Sequence, residues 1–440
     1  MSRLIRALFT AIALVFLALP ALAEVKIQKV VSPGGITAWL VEEHSIPFTA
    51  LEIRFRGGAS LDAPGKRGEI NLMTATLEEG AGDMDARAFA KARDSLAASL
   101  NFDVGPDALS VSARMLTENR DQAAELLRLA LNKPRFDQDA VERVRRQVLS
   151  IIRSDAKDPN KIAAQTFNRL AFGDHPYGSS INGTIESVSA LTRDDMFDAK
   201  NRVLAKDRVY VGAVGDITPE ALGTLLDKLL AELPQTGAPM PPDAPYLLTG
   251  GLTVVPFETP QSVSIFGERG LKLEDPDFFA AYVLNQILGG SGFQSRLMTE
   301  VREKRGLTYG VGTYLATRDH AALLMGQVAS ANDRIAQAIA VIRDQWQRLR
   351  DDGVTDEELA QAKTYMTGAY PLRFDGNGPI ANILVGMQMQ GMPIDYINTR
   401  NDKIEAVTQK DIRRVIDRLI KPDELHFVVV GQPVGLETGN

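Results

Sequence analysis

Val209-Tyr210-Val211-Gly212-Ala213-Val214-Gly215 returns 216 positions later as Leu425-His426-Phe427-Val428-Val429-Val430-Gly431. The same ungapped register lays Leu191-Thr192-Arg193-Asp194-Asp195 on Val407-Thr408-Gln409-Lys410-Asp411, and Ile181 on Ile397. In each copy a Thr precedes an amphipathic run, as a helix N-cap does, and an apolar run ending in Gly predicts a buried strand. Residues 137–153 and 355–367 recur at a similar offset, each opening with acidic residues that suit the positive end of a helix. One unit written twice implies two similar domains. Between them, Leu233-Pro234-Gln235-Thr236-Gly237-Ala238-Pro239-Met240-Pro241-Pro242-Asp243-Ala244-Pro245 holds five prolines. Such a stretch is neither helix nor central strand, so it reads as a linker. The expected boundaries are 24–232, a linker over 233–247, and 248–436.

Within a half, strands and helices come in blocks. Residues 36–43 and 49–56 are strand-like, and 100–104 with 108–115 read as a hairpin around Gly105-Pro106-Asp107. Helices are expected near 119–131, 137–156 and 161–171. That order predicts the α+β class: in each half a mostly antiparallel sheet with helices packed on one face.

Residues 1–23 carry a basic start (Arg3, Arg6), an apolar run and the small-residue end Ala21-Leu22-Ala23, which predicts a cleaved secretory leader and a periplasmic mature protein. The apolar run falls short of the about 20 residues of a spanning helix. Losing Arg3 and Arg6 takes the formal charge from -7 to -9. An acidic surface argues against nucleic acid as a partner, and no later stretch is apolar enough to span a membrane. The chain has 0 Cys, which excludes disulfides and thiolate metal sites, so a sizeable core must stabilise the fold.

Three segments resemble the insulinase/pitrilysin superfamily of zinc peptidases, the inverzincins, in a two-domain form similar to mitochondrial processing peptidase subunits and bacterial heterodimeric zinc peptidases. They are Phe55-Arg56-Gly57-Gly58-Ala59-Ser60-Leu61-Asp62-Ala63-Pro64-Gly65-Lys66-Arg67-Gly68, then His175-Pro176-Tyr177-Gly178 with Gly183, and a third block. That block is Leu288-Gly289-Gly290-Ser291-Gly292-Phe293-Gln294-Ser295-Arg296-Leu297 through Val301-Arg302-Glu303-Lys304-Arg305-Gly306-Leu307-Thr308-Tyr309. The resemblance implies a domain pair forming half of a clam-shell chamber.

It also places the metal motif, His-x-x-Glu-His, on Asn71-Leu72-Met73-Thr74-Ala75. The two histidines fall on Asn71 and Ala75, the glutamate base on Thr74, and the third ligand near Ser150 or Ile151. Zinc takes imidazole or carboxylate, and metal hydrolysis needs a base beside a water whose pKa has been lowered to roughly 7, so none of these residues serves. Glu78 and Glu79 alone make a poor zinc site and read as a solvated acidic helix end. His44, His175, His320 and His426 show no ligand spacing; His175 reads as a cap or packing residue. No cofactor is expected on this chain.

The resemblance assigns catalytic roles to Arg302 and Tyr309, seven positions apart, which reach across the chamber to substrate. A guanidinium and a phenol donate hydrogen bonds to a carbonyl oxygen gaining charge, each worth roughly 2.7 to 4 kcal/mol in a transition state. Read without the family, Arg302 pairs with Glu300 or Glu303 and Tyr309 is an ordinary strand aromatic. Substrate contacts are expected at Leu100, Asn101 and Phe102, as an edge strand that accepts a peptide or as a plain core strand, and at Gly289 and Gly290, as a close approach to substrate or a turn. The implied role is the metal-free subunit of a heterodimeric zinc peptidase, inactive alone, whose partner is a homologue bearing an intact His-x-x-Glu-His and the zinc. The alternative is a non-catalytic peptide-binding or scaffold protein acting as a homodimer.

Overall fold

The computed structural model describes residues 26–292 and 294–438; the expected leader lies outside them. Among the described residues no helix is long and apolar enough to cross a membrane.

The first half builds a six-stranded sheet in the order β1-β2-β8-β3-β7-β6. Its strands are β1 (Gln28–Val31), β2 (Thr37–Glu42), β3 (Phe48–Arg56), β6 (Ser99–Val104), β7 (Ala108–Leu116) and β8 (Val209–Gly215), while β4 (Gly80–Ala81) and β5 (Met84–Asp85) form a separate short ladder. The second half builds a five-stranded sheet, β11-β12-β10-β13-β9, from β9 (Gly251–Pro256), β10 (Gln261–Arg269), β11 (Val311–Arg318), β12 (Ala321–Ala331) and β13 (His426–Gly431). The two copies of the apolar run are β8 and β13. Each is flanked by a parallel partner, β2 or β9, and an antiparallel one, β3 or β10. Every other pairing in the two sheets is antiparallel, so the expected α+β class holds.

The helices of the first half are α1 (Glu69–Ala75), α2 (Ala86–Ser95), α3 (Arg120–Asn132), α4 (Gln138–Asp155), α5 (Pro159–Phe172), α6 (Ile185–Ala190), α7 (Arg193–Val203) and α8 (Pro219–Leu230). Those of the second are α9 (Phe278–Gly289), α10 (Ile335–Asp352), α11 (Asp356–Ala369), α12 (Asn377–Met389), α13 (Tyr396–Glu405) and α14 (Gln409–Leu419). The repeated Thr-x-x-Asp pairs are capping boxes: Asp195 N–H donates to Thr192 Oγ1 at 3.3 Å and Asp411 N–H to Thr408 Oγ1 at 3.3 Å, with the Asp carboxylates accepting in return. These bonds satisfy amides that the first turn leaves open.

Each half covers one face of its sheet with its own helices. Leu51, Ile53 and Phe55 of β3, at 0–1% exposure, face that first core, as do Val211 and Ala213 of β8. The opposite faces are covered reciprocally. Helix α5 of the first half seats Phe167 and Phe172 on Val263, Val428 and Val430 of the second sheet. Helix α12 of the second half seats Ala381, Leu384 and Met387 on Trp39, Ala50 and Val214 of the first. This exchange gives a strand such as Phe427-Val428-Val429-Val430 cover on both faces, which a continuous apolar run requires. Gly212 permits the close crossing: a Cβ there would stand 2.5 Å from the Ala381 carbonyl oxygen.

The halves also meet at matching hairpin turns. Tyr177 donates its hydroxyl proton to Asp107 in the β6–β7 turn and accepts the His320 N–H from the β11–β12 turn at 3.1 Å. The Asp319 N–H donates to Asp107 at 3.3 Å, and Arg56 pairs with Asp319 at 3.0 Å. The proline-rich segment is tied down beside them, with Ala238 N–H on the Arg202 carbonyl and Ala244 N–H on the His320 carbonyl.

Candidate functional site

Helix α1 carries the substituted metal positions beside the edge strand β6. Its N-terminus is held from six residues upstream, because Asp62 accepts the Gly68 N–H at 2.8 Å and the Ile70 N–H at 3.0 Å. Arg67 clamps the same loop to Asp62 at 2.9 Å and to the Pro176 and Ser179 carbonyls at 3.0 and 3.1 Å. Two family-like segments are therefore one structural unit. His175 belongs to it as a cap: Nδ1 accepts the Tyr177 N–H at 3.1 Å, and Nε2 donates to the Pro242 carbonyl, also at 3.1 Å. Burial holds its pKa below the ordinary value, in keeping with a neutral ring.

The residues at the metal positions do other work. Asn71 donates to Asn182 at 3.2 Å, and Asn182 donates to Asp155 at the end of α4 at 3.2 Å. An amide relay thus links α1 to the C-terminal end of α4. Thr74 is buried and returns its hydroxyl to the Ile70 carbonyl at 2.7 Å, while Ala75 is exposed. Ser150 and Ile151 lie exposed on α4. An amide, a buried hydroxyl and a methyl group do not make a zinc site. The described residues hold no group of three or more His, Cys, Asp or Glu placed to bind a metal. Glu78 and Glu79, partly exposed, pair with Arg93 at 2.9 Å and with Arg143. The spacing of these arginines in sequence gave no sign of it.

One charged group escaped the sequence reading. Glu69, in the first turn of α1, is 0% exposed. One carboxyl oxygen accepts the Ala63 N–H and the other has no hydrogen-bond partner. Burial, with the Asp62 charge adding to it, pushes its pKa up to about 7 against the pull of Arg202 and Lys66. A Glu at N1 after Gly68 was the available signal; its depth was not.

Among the described residues strand β6 is terminal in its sheet: β7 lies on one side and no strand on the other. Leu100 and Val104 are buried, Phe102 packs partly on the core, and Asn101 is exposed. Side chains of this strand serve the core while its backbone forms a sheet edge.

In the second half Arg302 lies in the last turn of the π-helical segment Met298–Glu303, and Tyr309 lies in the connection to β11 at 90% exposure. Tyr309 is therefore not a strand residue. Between them Leu307 is buried and donates its N–H to the Val301 carbonyl at 3.0 Å. Glu300 is held by Lys304 at 2.7 Å and Arg305 at 2.6 Å. Gly289 and Gly290 are required by internal packing: Cβ atoms there would stand 2.6 Å from Thr313 Oγ1 and 2.5 Å from Gln286 Oε1.

Known proteins carry this arrangement. The peptidase M16 inactive domain family matches residues 190–366. A crystal structure of a peptidase M16 inactive domain from Pseudomonas fluorescens superposes with a TM-score of 0.87 at 25% identity, covering 94% of this chain and 100% of that one. Over residues 190–366 the chain is similar to the peptidase M16 inactive domain family. Proteins similar to this chain include the non-peptidase homolog YmxG of Helicobacter pylori, 27% identical across 88% of this chain and 90% of that protein. Another is the uncharacterized zinc protease YmxG of Bacillus subtilis, 23% identical across 79% and 85%. A protease from Helicobacter pylori shares the fold with a TM-score of 0.83. The family match and the substitutions on α1 point the same way: the matched model describes an inactive domain, and no His-x-x-Glu-His stands on α1.

Proposed function

We propose that the protein is the metal-free subunit of a periplasmic heterodimeric zinc peptidase. Its partner is a homologous chain with an intact His-x-x-Glu-His, and together the two enclose a chamber for peptides. The observation that carries this reading is the asymmetry between the halves. On α1 every metal position is substituted, yet the segment bearing Arg302 and Tyr309 is anchored by Leu307 with Tyr309 90% exposed. An aromatic of that size left almost wholly in solvent at the end of an anchored segment suits a contact made with something outside the chain. In the assembled pair Arg302 and Tyr309 donate hydrogen bonds to the carbonyl oxygen of a peptide held at the partner's metal.

Peptidase assays on each chain alone and on the mixture test it. Hydrolysis should require the metal-bearing chain and rise when this one is added, and Arg302→Ala should lower turnover of the mixture by roughly 10² to 10³. A partner fully active alone and indifferent to this chain would overturn the reading. A second reading, a non-catalytic peptide holder, is favoured by the open edge of β6, which can take an extended peptide through main-chain hydrogen bonds. It predicts peptide binding by a homodimer and no hydrolysis in any mixture.

A further inference from the structure

The short turn Pro176–Gly178 is a peg between the two halves, and His175 sets its entry. Both ring nitrogens of His175 are engaged: Nδ1 accepts the Tyr177 N–H and Nε2 donates to the Pro242 carbonyl, each at 3.1 Å. Only the neutral ring with its proton on Nε2 satisfies both bonds. A second proton, on Nδ1, would set one donor against another and release the Tyr177 amide.

The surroundings do little to stabilise an imidazolium there. From the β6–β7 turn Asp107 faces the site, but it accepts the Tyr177 hydroxyl and the Asp319 N–H. From the β11–β12 turn Asp319 is paired with Arg56, and the His320 ring stands 6.1 Å from that of His175. Asp243 of the proline-rich segment is held by Lys272 at 3.0 Å and lies 3.9 Å from His320. Arg67, ahead of α1, and Arg318, stacked on the Tyr177 ring at 5.1 Å, add positive charge. Asp174, next in the chain, is exposed. Burial, with His320 and Arg67 acting in the same direction against the Pro242 carbonyl and Asp107, holds the His175 pKa below the ordinary 6.5.

The Tyr177 that this ring positions carries the contact between the hairpin turns. It is 3% exposed, gives its hydroxyl proton to Asp107 and takes the His320 N–H at 3.1 Å. The proline-rich segment is tied to the same peg twice, by the Pro242 carbonyl on His175 and by the Ala244 N–H on the His320 carbonyl at 2.8 Å.

We propose that His175 is a proton-operated latch on the junction between the halves: neutral, it locks the Tyr177 peg and the proline-rich segment in place, and protonated, it frees both. The exchange of α5 and α12 keeps the halves together, so what loosens is the pair of hairpin turns and the segment beside them. The locked form excludes a proton that the freed form takes up near 6.5. Latching is therefore full above pH 6.5 and is lost as pH falls below it.

Hydrogen exchange of the full chain, read by mass spectrometry at pH 7.5 and 5.5 and corrected for intrinsic rates, tests it. Segments 174–180, 238–246 and 318–322 should lose up to about tenfold in protection at pH 5.5, one unit below the ordinary value, while β3 and β10 keep theirs. His175→Asn can still cap the Tyr177 N–H through its side-chain oxygen but takes up no proton, so its protection should be the same at both pH values. Tyr177→Phe should lower protection at both. Equal protection of the natural chain at the two pH values, or an undiminished loss in His175→Asn, overturns the latch. A titration of the histidine ring resonances of the natural chain by NMR decides independently of any variant's folding: a His175 ring that titrates at or above 6.5 overturns the latch, and one that titrates below it supports it.

Discussion

At Glu69 a carboxyl group sits in the core with one oxygen bonded and the other unpaired, and its pKa of about 7 lies above the ordinary 4.5. The sign of the consequence follows from proton counting. The folded state holds this proton up to about pH 7, whereas the unfolded chain releases it near 4.5, so the contribution to stability is complete below 4.5 and is lost as pH rises to 7. Glu69→Gln removes the titration. In urea unfolding, the stability of the natural chain minus that of Glu69→Gln should fall by on the order of 1–3 kcal/mol between pH 5 and pH 8. An unchanged difference would show that the carboxyl group titrates normally in the fold. At the same scale, Asn71, where the resemblance places a metal ligand, takes part in an amide relay. Its identity was plain in the sequence, but its partnership with Asn182, and through it with Asp155, needed three segments to be brought together.

At the scale of elements, the caps were legible because they are local: a Thr and an Asp three residues on close a helix start wherever it sits. The strand Val209–Gly215 was equally legible, but its Gly212 was not explained by it. Only the crossing of α12 accounts for the missing side chain, and that contact joins positions far apart in sequence. Gly212→Val should therefore lift α12 from the first sheet. We expect a loss of about 2–4 kcal/mol in chemical unfolding, as for overpacking that meets a backbone atom rather than a yielding side chain. Gly212→Ala should cost less but remain measurable. A neutral Gly212→Val would mean that α12 does not press on β8 as described.

For the whole molecule, the exchange of α5 and α12 makes the two halves interdependent. Each sheet owes the cover of its second face to a helix encoded in the other half, and buried phenylalanines such as Phe167 and Phe172 would be exposed without it. Residues 24–232 and 248–436 expressed separately should each melt without a sharp transition or aggregate. Co-expressed, they should elute together and recover cooperative unfolding, read by size-exclusion chromatography and circular dichroism. Independent sharp transitions for the separate halves would contradict that interdependence.

The repeat, the capped helices, the buried strands and the loss of metal ligands on α1 were determined by the sequence alone, because periodicity, capping chemistry and ligand type are properties of short segments. Tertiary structure alone decided the helix exchange, the buried state of Glu69 and the amide relay from Asn71. Each of these depends on which distant surfaces meet and how much water they exclude, and neither quantity is written in any one stretch of the chain.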